Sequence, residues 1–215
     1  MPPVVSIVGI SNSGKTTFLE KLIKELTSRG YRVATVKHTH HDQDFTSPEK
    51  DTYRHLRAGS EAALLYSPNG ITLTRPISKG LDVAEICRFF GEDYDIILTE
   101  GFSRGDAPKI EVHRKERGGL LDTASKRIAV VTDEKLDVKV KQFALDDFKG
   151  VADLLEQGFI KPQQERTVLY VNDAAIPLSE YPRQMITAVA LAMASCLKGV
   201  AKVKSFQLSL KRDEK

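Results

Sequence analysis

Residues 4–26 read VVSIVGISNSGKTTFLEKLIKEL, and this stretch decides the fold. The β-branched run at 4–8 predicts a buried strand, and the apolar residues from Phe18 to Leu26 recur at helical spacing. Between strand and helix, residues 9–16 match the pattern G-x-x-x-x-G-K-[ST] of a phosphate-binding loop. Strand, loop and helix therefore follow one another in the order that this motif requires.

The loop predicts a site for nucleotide phosphates. Its backbone N–H groups converge on a phosphate, and the positive end of the following helix adds to the attraction. Glycine is required where the backbone approaches the anion closely, as at Gly9 and Gly14. Lys15 is expected to reach the terminal phosphate oxygens, and the Thr16 hydroxyl is expected to coordinate Mg²⁺.

Periodicity over the rest of the chain predicts an α/β fold. A second strand at 31–36 completes a βαβ unit, whose parallel strands need a right-handed crossover. We therefore expect a P-loop NTPase with a mostly parallel sheet flanked by helices. Further strands are predicted at 94–99, 110–113 and 128–131, a hairpin at 62–66 and 71–74, and helices at 50–58, 81–90 and 148–158.

Two acidic residues that follow predicted strands are candidates for the site. Glu100 ends an apolar run, which suits an acid that binds the metal or positions water; a solvated loop carboxylate is the alternative. Asp133 follows a later strand, where its carboxylate could accept both N1–H and N2–H of guanine and so favour GTP. A plain turn aspartate explains Asp133 equally well.

A histidine-rich loop follows the second strand. His38, His40, His41 and Asp44 lie close together in sequence, which is compatible either with a metal site or with a solvated loop. Because this loop leaves the same sheet edge as the phosphate loop, its position favours a role in sensing phosphate or in binding substrate.

The last quarter of the chain predicts a separate small unit. We divide the chain into a nucleotide-binding domain, 1–160, and a hairpin-helix extension, 161–215, with two short strands and a helix from about 179 to 197. The apolar side of that helix is expected to be buried. Our hypothesis is that the extension packs against a second subunit or against a partner enzyme.

Composition excludes several classes of protein. The 215 residues are 41% hydrophobic and carry a formal charge of +3, which is too small a basic excess to indicate nucleic-acid binding. The longest apolar segment, 186–197, is shorter than the roughly 20 residues that span a bilayer. Cys87 and Cys196 lie in apolar helical patterns, so we expect reduced core residues in a cytoplasmic protein.

Several separate motifs, in order over residues 4 to about 150, resemble the molybdopterin-guanine dinucleotide biosynthesis protein B family. This similarity implies a P-loop GTP-binding protein, usually a dimer, that binds GTP with Mg²⁺ and hydrolyses it slowly. It also implies a partner, the guanylyltransferase that joins GMP to molybdopterin. The matching stretches are GISNSGKTT at 9–17, RGYRVA at 29–34, KH at 37–38, HHD at 40–42, KDTYR at 50–54, EGF at 100–102 and PKIEV at 108–112.

The resemblance also implies roles for individual residues. Thr16 and Glu100 would hold the metal, while the 38–44 loop would face the phosphates or the pterin, together with Lys50, Asp51 and Arg54. The residues implied to bind the nucleotide are Asn12, Ser13, Gly14, Lys15, Thr16 and Thr17.

The sequence leaves two other functions open. Fast phosphoryl transfer needs an oriented water and a cation on the developing charge, and no water-orienting Gln stands beside Glu100. The chain is thus at most a weak GTPase, and an adapter fits better. A P-loop kinase for a small metabolite, with Arg104 and the arginines at 114–117 in a lid, is one alternative. The other is a metal-delivery GTPase that uses the histidine-rich loop.

Overall fold

A computed structural model describes residues 1–39, 51–163, 167–172, 174–200, 202–203 and 206–210 of the chain. The chain divides into two compact units, Met1–Pro162 and Gln163–Lys215. In chain order the first unit contains β1 Val4–Val8, α1 Lys15–Ser28, β2 Val33–Lys37, α2 Asp51–Arg57, β3 Ala63–Ser67, β4 Gly70–Thr74, α3 Val83–Cys87, β5 Ile96–Glu100, β6 Lys109–Val112, β7 Arg127–Thr132, β8 Lys141–Ala144 and α4 Phe148–Leu155.

Six of these strands form one sheet in the order β2-β5-β1-β6-β7-β8, and every neighbouring pair is parallel. The predicted α/β class with a mostly parallel sheet is therefore confirmed. Because β1 lies inside the sheet between β5 and β6, the loop that follows it emerges between the ends of these two strands. Sequence periodicity missed β8, a four-residue edge strand that is largely exposed.

The core forms where helices cover this sheet. Leu22 and Leu26, one helical turn apart on α1, are fully buried in one cluster with Val5 of β1 and Leu155 of α4. At the end of α1, the guanidinium of Arg29 is 2.6 Å from the carboxylate of Asp153 and 2.8 Å from that of Glu156, and it also pairs with Glu25 of its own helix. These contacts join α1 to α4 and hold the helix that carries the phosphate loop.

The predicted hairpin is present as β3 and β4, which pair antiparallel around the turn Ser67-Pro68-Asn69-Gly70. The hairpin is separate from the large sheet and carries exposed apolar side chains, namely Leu64, Leu65, Tyr66, Ile71 and Leu73.

Asp82 begins α3 with a capping box: its carboxylate accepts the Glu85 N–H, and the Glu85 carboxylate accepts the Asp82 N–H.

The second unit contains the antiparallel strands β9 Leu169–Val171 and β10 Ala174–Ile176 and the helix α5 Glu180–Ser195, which confirms a hairpin-helix architecture. The hairpin does not bury most of the apolar side of this helix, and burial of that side against a second subunit or a partner enzyme stays a prediction. Ala194 is buried, but Met185, Val189 and Met193 are each about half exposed. The physical reason is size, because strands of three residues offer too little surface to cover a helix of sixteen.

One of the two cysteines also departs from expectation. Cys87 is buried in α3, as predicted, whereas Cys196 follows the end of α5 and is exposed. Its apolar neighbours in sequence therefore do not form a core around it. In the ranges that the structure describes, no helix has the length and apolar character needed to cross a membrane.

Candidate functional site

The phosphate loop follows β1 and requires glycine at its first position. Gly9 has φ +148°, and a Cβ built there would lie 2.3 Å from the carbonyl oxygen of Val112 on β6. Asn12 and Gly14 also adopt positive φ, which turns the chain back toward the start of α1. The close approach of β6 therefore explains the first glycine of the motif, and the left-handed turn into α1 explains the second.

The start of α1 is open to an anion. No side chain caps this helix in the described structure, and the first N–H groups of any helix lack intrahelical partners. The Lys15 ammonium donates to the carbonyls of Gly9 at 3.0 Å and of Ile10 at 2.8 Å, so it lies across the loop. Burial lowers the pKa of Lys15, an effect that the nearby Glu100 carboxylate opposes. The Ser13 hydroxyl is buried without a hydrogen-bond partner among the described residues.

Glu100 reaches the same loop from the neighbouring strand. Its register partner on β1 is Ile7, just before the loop, so the end of β5 lies beside the start of α1. The Thr16 hydroxyl donates to the Glu100 carboxylate at 2.9 Å, and the Lys37 ammonium is 3.6 Å from the same oxygen. The structure thus brings together a hydroxyl, a carboxylate and two lysines from three segments of the chain.

Only part of the histidine-rich loop lies in the described residues. His38 follows β2, where its ring centroid is 4.6 Å from that of Phe102 and its backbone N–H donates to the Glu100 carbonyl. Asp51 and Arg54 form an exposed pair at 3.6 Å on α2. The remaining predicted residues of this group, His40, His41, Asp44 and Lys50, lie outside the described residues. Among the residues that are described, no cluster of three metal-ligating side chains occurs.

Asp133 lies on the other side of the phosphate loop, at the end of β7. Its carboxylate accepts the backbone N–H of Lys115 at 2.9 Å and lies 3.9 Å from the guanidinium of Arg114. The Lys115 hydrogen bond lowers the pKa of Asp133, with a smaller contribution from Arg114. The role of Asp133 in reading guanine stays a prediction, because this carboxylate already holds the segment after β6.

Arg114 is a site residue whose place the sequence did not reveal. Its Nε donates to the Ser13 carbonyl at 3.2 Å, and its guanidinium lies 3.5 Å from a Cβ built at Gly14. The sequence signal for it is a basic cluster at 114–117, which the kinase alternative places in a lid. Its contact with the loop depends on β6 lying next to β1, and no local pattern shows that adjacency.

A buried lysine holds the loop after β5. Lys109 is fully buried, and its ammonium donates to the carbonyls of Gly105 and Ala107. Burial lowers the pKa of Lys109. Because these carbonyls belong to the segment that follows Glu100, Lys109 positions the backbone next to that carboxylate's strand end.

The residues fit a nucleoside polyphosphate and a divalent cation. The open helix start, the Lys15 ammonium and the buried Ser13 hydroxyl supply donors for phosphate oxygens. Thr16 and Glu100 supply a hydroxyl and a carboxylate oxygen, the ligand types that Mg²⁺ prefers alongside waters and substrate phosphates.

Comparison with known families agrees with this geometry. Residues 4–133 match the model of the family described as molybdopterin guanine dinucleotide synthesis protein B. The second compact unit lies outside that match.

Curated relatives and solved structures extend the comparison. The molybdopterin-guanine dinucleotide biosynthesis adapter protein of Haemophilus influenzae is 33% identical over 156 residues, which are 72% of this chain and 88% of the relative. The Escherichia coli adapter protein is 34% identical over 161 residues, 72% of this chain and 92% of the relative. A crystal structure of molybdopterin-guanine biosynthesis protein B aligns with TM-score 0.58 and 31% identity over 72% of this chain and 98% of that one.

Proposed function

We propose a GTP-dependent function for this chain, because it belongs to the molybdopterin guanine dinucleotide synthesis protein B family. The model of that family matches residues 4–133. Like the relatives named above, it is an adapter in molybdopterin-guanine dinucleotide biosynthesis. In the proposed role it holds GTP with Mg²⁺ for the guanylyltransferase that joins GMP to molybdopterin. Direct contact with molybdopterin, through residues 38–44 and the Asp51–Arg54 pair, is part of the proposal.

The contact between Thr16 and Glu100 carries this proposal. The two residues are 84 positions apart in sequence, yet their oxygens lie 2.9 Å apart beside the Lys15 ammonium. A hydroxyl and an acid in this position are the protein ligands of Mg²⁺ in phosphate-loop proteins. Bound Mg²⁺ would neutralise charge on the phosphates, and Lys15 would orient the terminal oxygens.

We expect GTP hydrolysis to be slow. Rapid hydrolysis needs a positioned water and a cation that stabilises the charge of the transition state. The Glu100 carboxylate is engaged with Thr16 and Lys37, an arrangement that suits metal binding more than water activation. We therefore propose that the chain is an adapter that holds the nucleotide and has at most weak GTPase activity.

Isothermal titration with GTP tests the phosphate site. Lys15→Ala removes the cation that lies across the loop, so we expect GTP affinity to fall at least about tenfold. Lys24→Ala is the matched control, because Lys24 is an exposed lysine on the same helix. Wild-type affinity in Lys15→Ala, or equal losses in both variants, would reject the assignment.

The same titration tests the two alternative functions. Preferential binding of ATP by the wild-type protein would favour the kinase. Tight Ni²⁺ or Zn²⁺ binding that disappears in the variants His40→Ala and His41→Ala would favour metal delivery.

The proposed partner is tested by a coupled assay. Purified chain is added to the guanylyltransferase at limiting GTP, and the yield of dinucleotide is measured. The wild-type protein should raise the yield and Lys15→Ala should not. An equal yield with both proteins would argue against delivery of GTP by this chain.

We also propose a homodimer. One face of the hairpin β3–β4 presents exposed apolar side chains, with Leu64 opposite Leu73 and Tyr66 opposite Ile71, and such surfaces mark sites of association. Leu64→Asp should lower the native mass measured by sedimentation, while Lys24→Ala should not. An unchanged mass in Leu64→Asp would remove the hairpin from the proposal.

The extension 161–215 and the cellular location complete the proposal. Deleting residues after 162 should weaken self-association or partner binding while GTP affinity persists, and unchanged mass and partner affinity would contradict that role.

We also propose that the protein lies in the cytoplasm, where Cys87 and Cys196 would stay reduced, as both are free thiols in the structure.

A further inference from the structure

A groove of about 670 Å³ opens between the segments that follow β7 and β8. A second cavity, of about 150 Å³, is bordered by Ser13 and Gly14 of the phosphate loop together with Arg114. Leu145 and Asp146 line both. The two cavities therefore adjoin and form a path from the phosphate loop to the groove.

The position of the groove suits the nucleoside end of a nucleotide. Its volume lies within the roughly 300–1,000 Å³ of small-molecule sites, and it opens where ligands of parallel sheets bind, at the carboxyl ends of the strands. In the sheet order, β5 with Glu100 lies on one side of β1, while β7 and β8 lie on the other. A nucleotide with its phosphates on the loop and its metal at Glu100 would thus extend its base toward the groove.

Most polar side chains of the groove are already engaged. Asp133 accepts the Lys115 N–H, and Glu134 lies 2.9 Å from the buried ring of His113. Gln142 exchanges two hydrogen bonds with the backbone of Leu136. These contacts hold the walls in place.

Two charged groups of the groove are unengaged. Within the described part of the chain, neither Lys135 after β7 nor Asp146 after β8 has a hydrogen bond or ion pair. The neighbouring Asp147 instead caps α4 by accepting the Gly150 N–H at 2.9 Å. A free carboxylate therefore stands on the wall that both cavities share.

We propose, resting on the GTP binding proposed above, that this groove binds guanine and that Asp146 is the residue that selects it. The Asp146 carboxylate would accept N1–H and N2–H of guanine, and Lys135 on the opposite segment would donate to the O6 and N7 acceptors. Adenine presents an amino group in place of O6 and lacks the N1–H and N2–H donors. The groove thereby favours GTP over ATP through a matched acceptor and donor.

This assignment differs from the sequence-based expectation for Asp133. The Asp133 carboxylate holds Lys115 and faces Arg114, which itself donates to the Ser13 carbonyl. Asp133 and Arg114 are thus positioning residues that tie the groove wall to the phosphate loop.

The experiment compares Asp146→Asn with Asp133→Asn by titration with GTP, ATP and XTP in the full chain. An asparagine keeps one acceptor and adds an amide donor, which matches N1–H and the O2 acceptor of xanthine. For Asp146→Asn we expect GTP affinity to fall about tenfold or more, XTP affinity to rise and ATP affinity to stay unchanged. Because Asp146 is exposed and caps nothing, the unfolding temperature should match wild type.

The outcomes separate this inference from the proposed function. If Asp133→Asn exchanges GTP for XTP and Asp146→Asn does not, the inference is overturned and GTP binding stands. Unchanged GTP affinity in Asp146→Asn with tight wild-type binding also overturns it. If the wild-type protein binds no GTP, both the inference and the proposed function fail.

Discussion

Glu111 offers a test of how the strand beside the phosphate loop is stabilised. Its side chain is 1% exposed on β6, where the carboxylate is 2.8 Å from the Arg127 guanidinium of β7 and accepts the Leu121 N–H at 2.6 Å. On β1 its register partner is Val8, the residue before the loop. Glu111→Ala would leave a guanidinium and an N–H without their acceptor in the interior.

The structure sets the size of the expected effect. Removing one partner of a buried ion pair costs about 3–5 kcal/mol of unfolding free energy. Arg127 retains 20% exposure, so water screens part of its charge and the lower end, about 3 kcal/mol, applies. At about 2–4 °C per kcal/mol for a domain of this size, the melting temperature should fall by roughly 6–12 °C.

Calorimetry and denaturant unfolding measure this change, and a second variant identifies its cause. Glu111→Gln combined with Arg127→Leu removes both charges, keeps an acceptor oxygen for the Leu121 N–H and keeps most of the volume, so it should stay within about 1 kcal/mol of wild type. Such a result would assign the loss in Glu111→Ala to the unpaired charge. If Glu111→Ala also stays within about 1 kcal/mol, the reasoning about this buried pair is refuted.

Three other predictions concern the site and its support. Glu100→Gln should weaken GTP binding with Mg²⁺ present but not in its absence; equal losses would contradict a metal role. Gly9→Ala places a Cβ 2.3 Å from the Val112 carbonyl, so both the melting temperature and GTP binding should drop, and a wild-type melting curve would refute the clash. Lys161, 2.8 Å away, is the main cause that lowers the pKa of Glu156 from 4.5 to about 2. The ionised Glu156 carboxylate therefore adds to the free energy of unfolding above about pH 4.5, and this contribution is lost as pH falls toward 2. Glu156→Gln should flatten the fall in melting temperature between these values, and an unchanged pH profile would oppose this role.

Local sequence patterns predict where much of the candidate site lies. The phosphate loop could be predicted because its motif is contiguous, so the glycines and the lysine of residues 9–16 are read directly from the sequence. The position of Glu100 beside this loop is also predictable from sequence, since an acid that ends a buried parallel strand must emerge at the same sheet edge as the loop after β1, while its role at a metal stays a prediction. Their joint function nevertheless rests on family membership, because a phosphate loop alone serves many reactions.

The sequence did not predict how distant segments pack together, because no local pattern reports such packing. The exposed edge strand β8 alternates too weakly to be detected, so the groove beside it could not be predicted. Apolar periodicity predicted the helix α5 but could not show that Met185 and Val189 stay exposed, because burial depends on the size of what packs against them.

The sequence by itself determined the strand, the loop with its phosphate-binding motif and the helix, as well as the parallel sheet and the family, because these follow from short-range periodicity and contiguous motifs. Tertiary structure alone decided which strands flank β1. That order brings Glu100 of β5 to Thr16 on one side and Arg114, which follows β6, to Ser13 on the other. The residues on each side of the loop are thus set by strand adjacency, which depends on the packing of the whole domain.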